Sequence, residues 1–142
     1  MTMREHPDYC YEQSAVIPVR RVGDTLEILM ITSRQGKRWI IPKGIIEPDL
    51  SPADSAAKEA LEEAGVMGVV LSDCLGTFRY EKWGDFCEVQ VFVMRVTEIL
   101  DTWEEDFRQR VWLDLAEAVG RIREQGLQEL LEALPAFWEK QV

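Results

Sequence analysis

The sequence predicts an α/β fold: a sandwich built on one mixed β-sheet covered by helices on both faces. Three observations carry that expectation. Strand-like segments come first, a single well-delimited helix interrupts them, and helical periodicity closes the chain. At 142 residues with no Pro/Gly/Ser-rich linker, internal repeat or low-complexity tract, residues 1–142 are expected to form one domain with a proper core.

Taken in order, residues 1–12 lack apolar periodicity and read as a flexible N-terminal arm, which includes His6, the only histidine, without a role. "SAVIPVRRV" and "TLEILMITSR" are rich in β-branched and apolar residues around Gly23-Asp24, which predicts a hairpin. "WIIPKG" reads as a short strand stopped by Pro42 and Gly44. The interrupting helix has end signals: Ser51 as N-cap, Pro52 at the first helical position, Asp54 in the first turn and Gly65 just past the end. "GVVLSDCLGTFRYE" and "FCEVQVFVMRVTEI" then read as two longer strands, forming a hairpin over "KWGD". Alternation in the second puts Phe86, Glu88, Gln90, Phe92 and Met94 on one face. "QRVWLDL" predicts a short strand leading into a helix at "DLAEAVGRI", and a last helix over 125–140 carries Leu127, Leu130, Leu131 and Leu134 at core-facing spacing.

Composition narrows the function. A formal net charge of −10 disfavours stable nucleic-acid binding, which needs Lys and Arg against phosphates. No apolar run approaches the roughly 20 residues that span a bilayer, and the N-terminus has no secretory h-region, so no membrane partner is expected. Three widely spaced cysteines (Cys10, Cys74, Cys87) with no CxxC pair predict free thiols in a reducing compartment, hence a cytoplasmic location. The sequence does not fix the oligomeric state, for which a homodimer is the default.

Within this acidic chain, "RQGKRWIIPKGII" holds four cations, Arg34, Lys37, Arg38 and Lys43, and no acid. Such a local patch suits a small, multiply charged anion, and a chance cluster in a solvated loop is the alternative. The helix that follows places Glu59, Glu62 and Glu63 on one face. At about 100° per residue, Glu62 lies roughly 60° to one side of Glu59 and Glu63 roughly 40° to the other. Ala53, Ala57, Ala60, Leu61 and Ala64 fall opposite and allow close packing on a sheet. Any amphipathic surface helix has this outline. Two features argue for more: the like charges repel at helical spacing, and they lie at the negative end of the helix dipole. A hard dication such as Mg²⁺ or Mn²⁺ removes both conflicts.

The whole stretch "GIIEPDLSPADSAAKEALEEAGV" resembles the Nudix box, G-x5-E-x7-R-E-U-x-E-E-x-G-U with U aliphatic. Gly44, Glu59, Glu62, Glu63, Gly65 and Val66 match position for position. Lys58 stands where the box has arginine and Leu50 where it has its first glutamate. The flanks "SRQGKRWIIPKG", "VTEILDTWEE" and "RVWLDLAEAV" are similar to those of the diphosphoinositol polyphosphate and diadenosine polyphosphate branch of the family.

The resemblance implies a Nudix-type α/β/α sandwich. It also implies hydrolysis of a phosphoanhydride bond in a nucleoside diphosphate-linked, dinucleoside polyphosphate or diphosphoinositol-type compound. It assigns Glu59, Glu62 and Glu63 as ligands of Mg²⁺ or Mn²⁺, the Gly44 carbonyl as a further ligand and Lys58 as the orienting residue. Glu63 or Glu59 acts on the attacking water. Arg34, Arg38, Lys43 and Lys37 are expected at the substrate phosphates, with Arg79 and Lys82 as further cations. Glu88 is a possible base beyond the box, a solvent-facing strand residue being the plainer reading; Glu104, Glu105 and Asp106 read as a solvated loop run. Trp39 and Trp83 read as packing beside strands, with base stacking as the alternative. The departures at Leu50 and Lys58 leave open a second function, a Nudix-fold module that binds a nucleotide or polyphosphate without turnover.

Overall fold

The computed structural model describes residues 12–82 and 84–141. Eight strands form one mixed sheet: β1 (Glu12–Val22), β2 (Thr25–Thr32), β3 (Trp39–Ile40), β4 (Lys43–Ile45), β5 (Val66–Val70), β6 (Gly76–Lys82), β7 (Asp85–Ile99) and β8 (Arg110–Asp114). The helices are α1 (Pro52–Glu59), continued by a π-helical turn at Ala60–Ala64, then α2 (Leu115–Arg121), α3 (Gln125–Glu132) and α4 (Leu134–Gln141). None is long and apolar enough to cross a membrane. The expected arm lies outside the described residues, except that Glu12 already opens β1.

The parallel pair β1–β7 is the spine. On its other edge β1 takes β4 at residues 13–15 and β2 at 19–22, both antiparallel. On its far edge β7 takes β6 and then β5. Alternation sorts β1 between two cores. Ala15, Ile17 and Val19 face Leu127, Leu131, Leu134 and Trp138 of α3 and α4, whereas Val16 faces Ala56, Ala60 and Ala64 of α1 and its π turn. The sheet is therefore covered on both faces, as expected.

Four expectations are corrected. The stretch "GVVLSDCLGTFRYE" is two strands, because the polar Ser72-Asp73 step breaks the pattern and β5 and β6 pair with different halves of β7. The last helix divides at Ala133, where Pro135 in the next turn lacks the N–H that a continuous helix would need. Gly44 lies within β4 and does not stop a strand. Cys87, buried on β7, is disulfide-bonded and not the free thiol expected, whereas Cys74 is free.

Candidate active site

The helix that carries the glutamates is tied down at both ends. At its start the Ser51 hydroxyl accepts from the Asp54 N–H at 3.1 Å, and Pro52 needs no partner in the first turn. At its end four carbonyls would be orphaned. Each finds a donor. Gly65, left-handed at φ 66°, donates its N–H to Leu61 O (3.1 Å). Glu105 N–H donates to Glu62 O (3.0 Å), Trp103 Nε1 to Glu63 O (3.0 Å) and Arg110 Nη1 to Ala64 O (3.0 Å). Arg110 also stacks on the Trp103 ring at 3.8 Å, and a Cβ at position 65 would strike that ring. The loop 100–110 thus caps the last turn completely, although the sequence reads it as a solvated acidic run.

The helix also widens where the glutamates sit. Hydrogen bonding from i to i+5 enlarges the turn, so residues four apart come nearer to superposition than on a regular α-helix. Glu59 and Glu63 end up within hydrogen-bonding reach of each other. Burial and then the neighbouring Glu63 push the Glu59 carboxyl up to about 8. Burial likewise raises Glu63, against the opposing influence of Glu59 and of the Arg108 charge. Lys43 N–H donates to Glu63 Oε1 at 3.3 Å and fixes its direction.

These two carboxyls open into a cleft of about 550 Å³ lined also by Gln13, Arg34, Lys43, Gly44, Glu47, Tyr80 and Glu105. A Cβ on Gly44 would overlap the Glu59 carboxyl group, so any larger residue there would displace that carboxyl. Tyr80 donates its hydroxyl to Gln13 Oε1 at 2.8 Å, and the Lys43 ammonium lies 5.0 Å from the Tyr80 ring centroid. Glu105 is turned into the cleft while Glu104 and Asp106 face solvent. Its Oε1 accepts from Arg108 Nε (3.0 Å) and Nη2 (2.8 Å) and lies 3.6 Å from Arg34. Arg108, almost fully buried, also donates to Thr32 O at 2.9 Å.

The remaining site residues fall in different places. Glu62 does not line the cleft; it pairs with Lys58 at 2.9 Å. Lys58 also reaches Glu47 Oε2 at 2.8 Å, and these two carboxylates hold its ammonium pKa above the ordinary lysine value. Glu47, whose N–H is fixed by the Ser55 hydroxyl at 3.0 Å, therefore supplies the carboxylate that Leu50 lacks. Arg38 is turned away to Glu124 at 3.3 Å, and Lys37 lies beside it in a basic groove of about 400 Å³ that also contains Arg34 and Arg123. Arg34 is common to groove and cleft. Arg79 and Glu88 pair with each other at 3.5 Å across β6 and β7, outside the cleft lining. Trp39 packs at the edge of the larger core, and the side chains of Trp83 and Lys82 lie outside the described residues.

Among the described residues no three acids stand in ligating geometry, since Glu62 is held by Lys58 while Glu59 and Glu63 face each other. The donor set nevertheless suits a hard dication. Two close carboxyls with raised pKa values, Glu63 buried and Glu59 half-buried, are a pair that a divalent cation would discharge. A family model described as the NUDIX domain matches residues 11–136. The chain belongs to the Nudix family.

As a Nudix protein it is similar to Nudix hydrolase 17, mitochondrial, of Arabidopsis thaliana, with 38% identity over 117 residues, covering 80% of this chain and 64% of that protein. It is 34% identical over 116 residues to diphosphoinositol polyphosphate phosphohydrolase 3-beta of Bos taurus, covering 80% and 70%. The chain spans just under two thirds of the length of the first Arabidopsis relatives. The crystal structure of a C. elegans Ap4A hydrolase binary complex superposes with a TM-score of 0.78 at 20% identity, over 92% of this chain and 98% of that one, and shows the common Nudix fold.

Proposed function

We propose that this Nudix protein is a pyrophosphohydrolase, dependent on Mg²⁺ or Mn²⁺, that cleaves a phosphoanhydride bond in a small molecule bearing several phosphates, of the dinucleoside polyphosphate or diphosphoinositol polyphosphate type. The observation that carries the reading is the close Glu59–Glu63 pair opening into the same cleft as Arg34 and Lys43. A hard dication held by Glu59 and Glu63, with the Gly44 carbonyl alongside, would neutralise phosphate oxygens and acidify a water molecule. Lys43 and Arg34 hold the phosphates, Arg34 bidentately. Glu63, aimed by the Lys43 N–H, takes the proton from the attacking water; the leaving phosphate departs as an anion. Lys58, bridging Glu47 and Glu62, keeps the outer side of the helix fixed and leaves Glu59 and Glu63 to the cleft. Arg34, Lys37, Arg38 and Arg123 extend positive charge beyond the cleft, which favours substrates with more phosphates than the scissile pair. The names of the bovine and C. elegans relatives support the same substrate classes.

The test is phosphate release from a panel of dinucleoside polyphosphates, diphosphoinositol polyphosphates and nucleoside diphosphate-linked compounds, with Mg²⁺ or Mn²⁺. Glu63→Gln is expected to lower kcat about 10²–10⁴-fold. Absence of turnover on every compound, together with ligand binding that ignores the metal, would establish the binding-module reading instead.

A further inference from the structure

The row of the sheet beneath Glu59 contains a hydroxyl that the proposed mechanism leaves unused. Ser14, near the start of β1, is fully buried, and its Oγ is the one buried side-chain oxygen or nitrogen among the described residues without a hydrogen-bond partner. On its face of the sheet Val16 of β1 and Phe92 and Met94 of β7 are apolar, while Gln90 of β7, directly beside it, is polar but gives its hydroxyl no hydrogen bond. Alanine or valine would fill such a place without an unmatched hydroxyl, so serine is costly there unless it meets an acceptor.

The register indicates where the acceptor lies. Ser14 stands directly opposite Gly44 on β4 and beside Gln90 on β7. Directly opposite residues of an antiparallel pair project to the same face, with Cβ positions about 5 Å apart. Gly44 has no Cβ, and the Glu59 carboxyl occupies the space one would fill. The Ser14 hydroxyl and the Glu59 carboxyl therefore face the same bare stretch of β4, with no side chain of β4 between them. In the metal-free protein Glu59 is engaged with Glu63.

We propose that Ser14 is a positioning residue for the metal site. Its hydroxyl donates to the Glu59 carboxylate once a dication has drawn Glu59 into its coordination shell, and it fixes the oxygen that faces the ion. The inference rests on the metal-binding reading above. An O–H···O⁻ bond to an ionised carboxylate is among the stronger protein hydrogen bonds, and partners behind a ligand commonly set metal affinity. It also gives a partner to an oxygen that has none among the described residues.

Mn²⁺ binding, followed by electron paramagnetic resonance on purified wild type and Ser14→Ala, tests this without any substrate. Ser14→Ala removes one oxygen from a buried site, so it folds, and its metal-free Tm should equal or exceed that of wild type. Its Mn²⁺ dissociation constant should rise about tenfold or more, and Ser14→Thr, which restores a hydroxyl, should recover part of the loss. In a Glu59→Gln background the Ser14→Ala change should add nothing. Wild-type affinity in Ser14→Ala, or an equal effect with Glu59 absent, overturns the role of Ser14 and leaves the metal site standing. Failure of wild type itself to bind Mn²⁺ overturns the metal reading, and the Ser14 role with it.

Discussion

The two faces of the sheet are packed by opposite means. One is covered by α2, α3 and α4 through large side chains, Ile122, Leu127, Leu131, Leu134 and Trp138. The other is covered by α1 and its π turn, chiefly through Ala56, Ala60 and Ala64. Methyl groups bring helix and sheet close together, and on that face Glu59 lies against a glycine of β4. The large-residue face removes more apolar surface from water and supplies most of the stability. The small-residue face contributes less and sets the Glu59 carboxyl against Gly44. Stability and site geometry are thus assigned to different sides of one sheet.

The largest expected effect lies on the large-residue side. Leu131→Ala should cost about 2–5 kcal/mol in chemical denaturation, and the Tm increment produced by Mg²⁺ should survive in the variant. Loss of that increment would show that the faces are not independent. On the other face, Ala60→Leu should cost about 1–3 kcal/mol by overpacking. By lifting the helix from the sheet it should also abolish the Mg²⁺ increment, and a variant that keeps full metal response would refute the division.

A smaller effect follows from the glutamate pair. In the metal-free fold Glu59 keeps its proton up to about pH 8, against an ordinary value of 4.5. The native state therefore binds more protons across that window, and this contribution is complete below about 4.5 and lost as pH rises through about 8. Metal-free Tm should fall with pH over that range while the Mg²⁺ increment grows, as thermal melts in matched buffers would reveal. A flat profile would place the pair in water. The smallest effect concerns Lys58, which is exposed: because its ion pairs are screened by solvent, Lys58→Gln should leave metal-free stability nearly unchanged in urea denaturation, and should weaken Mg²⁺ binding by freeing Glu62.

The sequence was informative where local chemistry decides. The Gly44-to-Glu63 spacing, the Ser51 cap and the Gly65 stop all have near neighbours as partners, and each is found where the residues indicate. Pro135 lies inside the helix that the leucine periodicity predicts over 125–140, and the helix divides just before it. Glu105 and Arg108 were not legible, because their positions depend on the loop 100–110 folding back over the end of the glutamate helix, some forty residues away in sequence. The same holds for Arg38, whose partner Glu124 is 86 residues distant.

The Glu47–Lys58–Glu62 bridge has a consequence for how such a site can change over generations. The carboxylate that Leu50 cannot provide comes from a position three residues earlier, so Lys58 and Glu47 are fit only in each other's company. Because one ammonium serves two carboxylates, a substitution at Lys58 alters the surroundings of Glu47 and Glu62 together, whereas one at Glu47 leaves the Lys58–Glu62 pair standing.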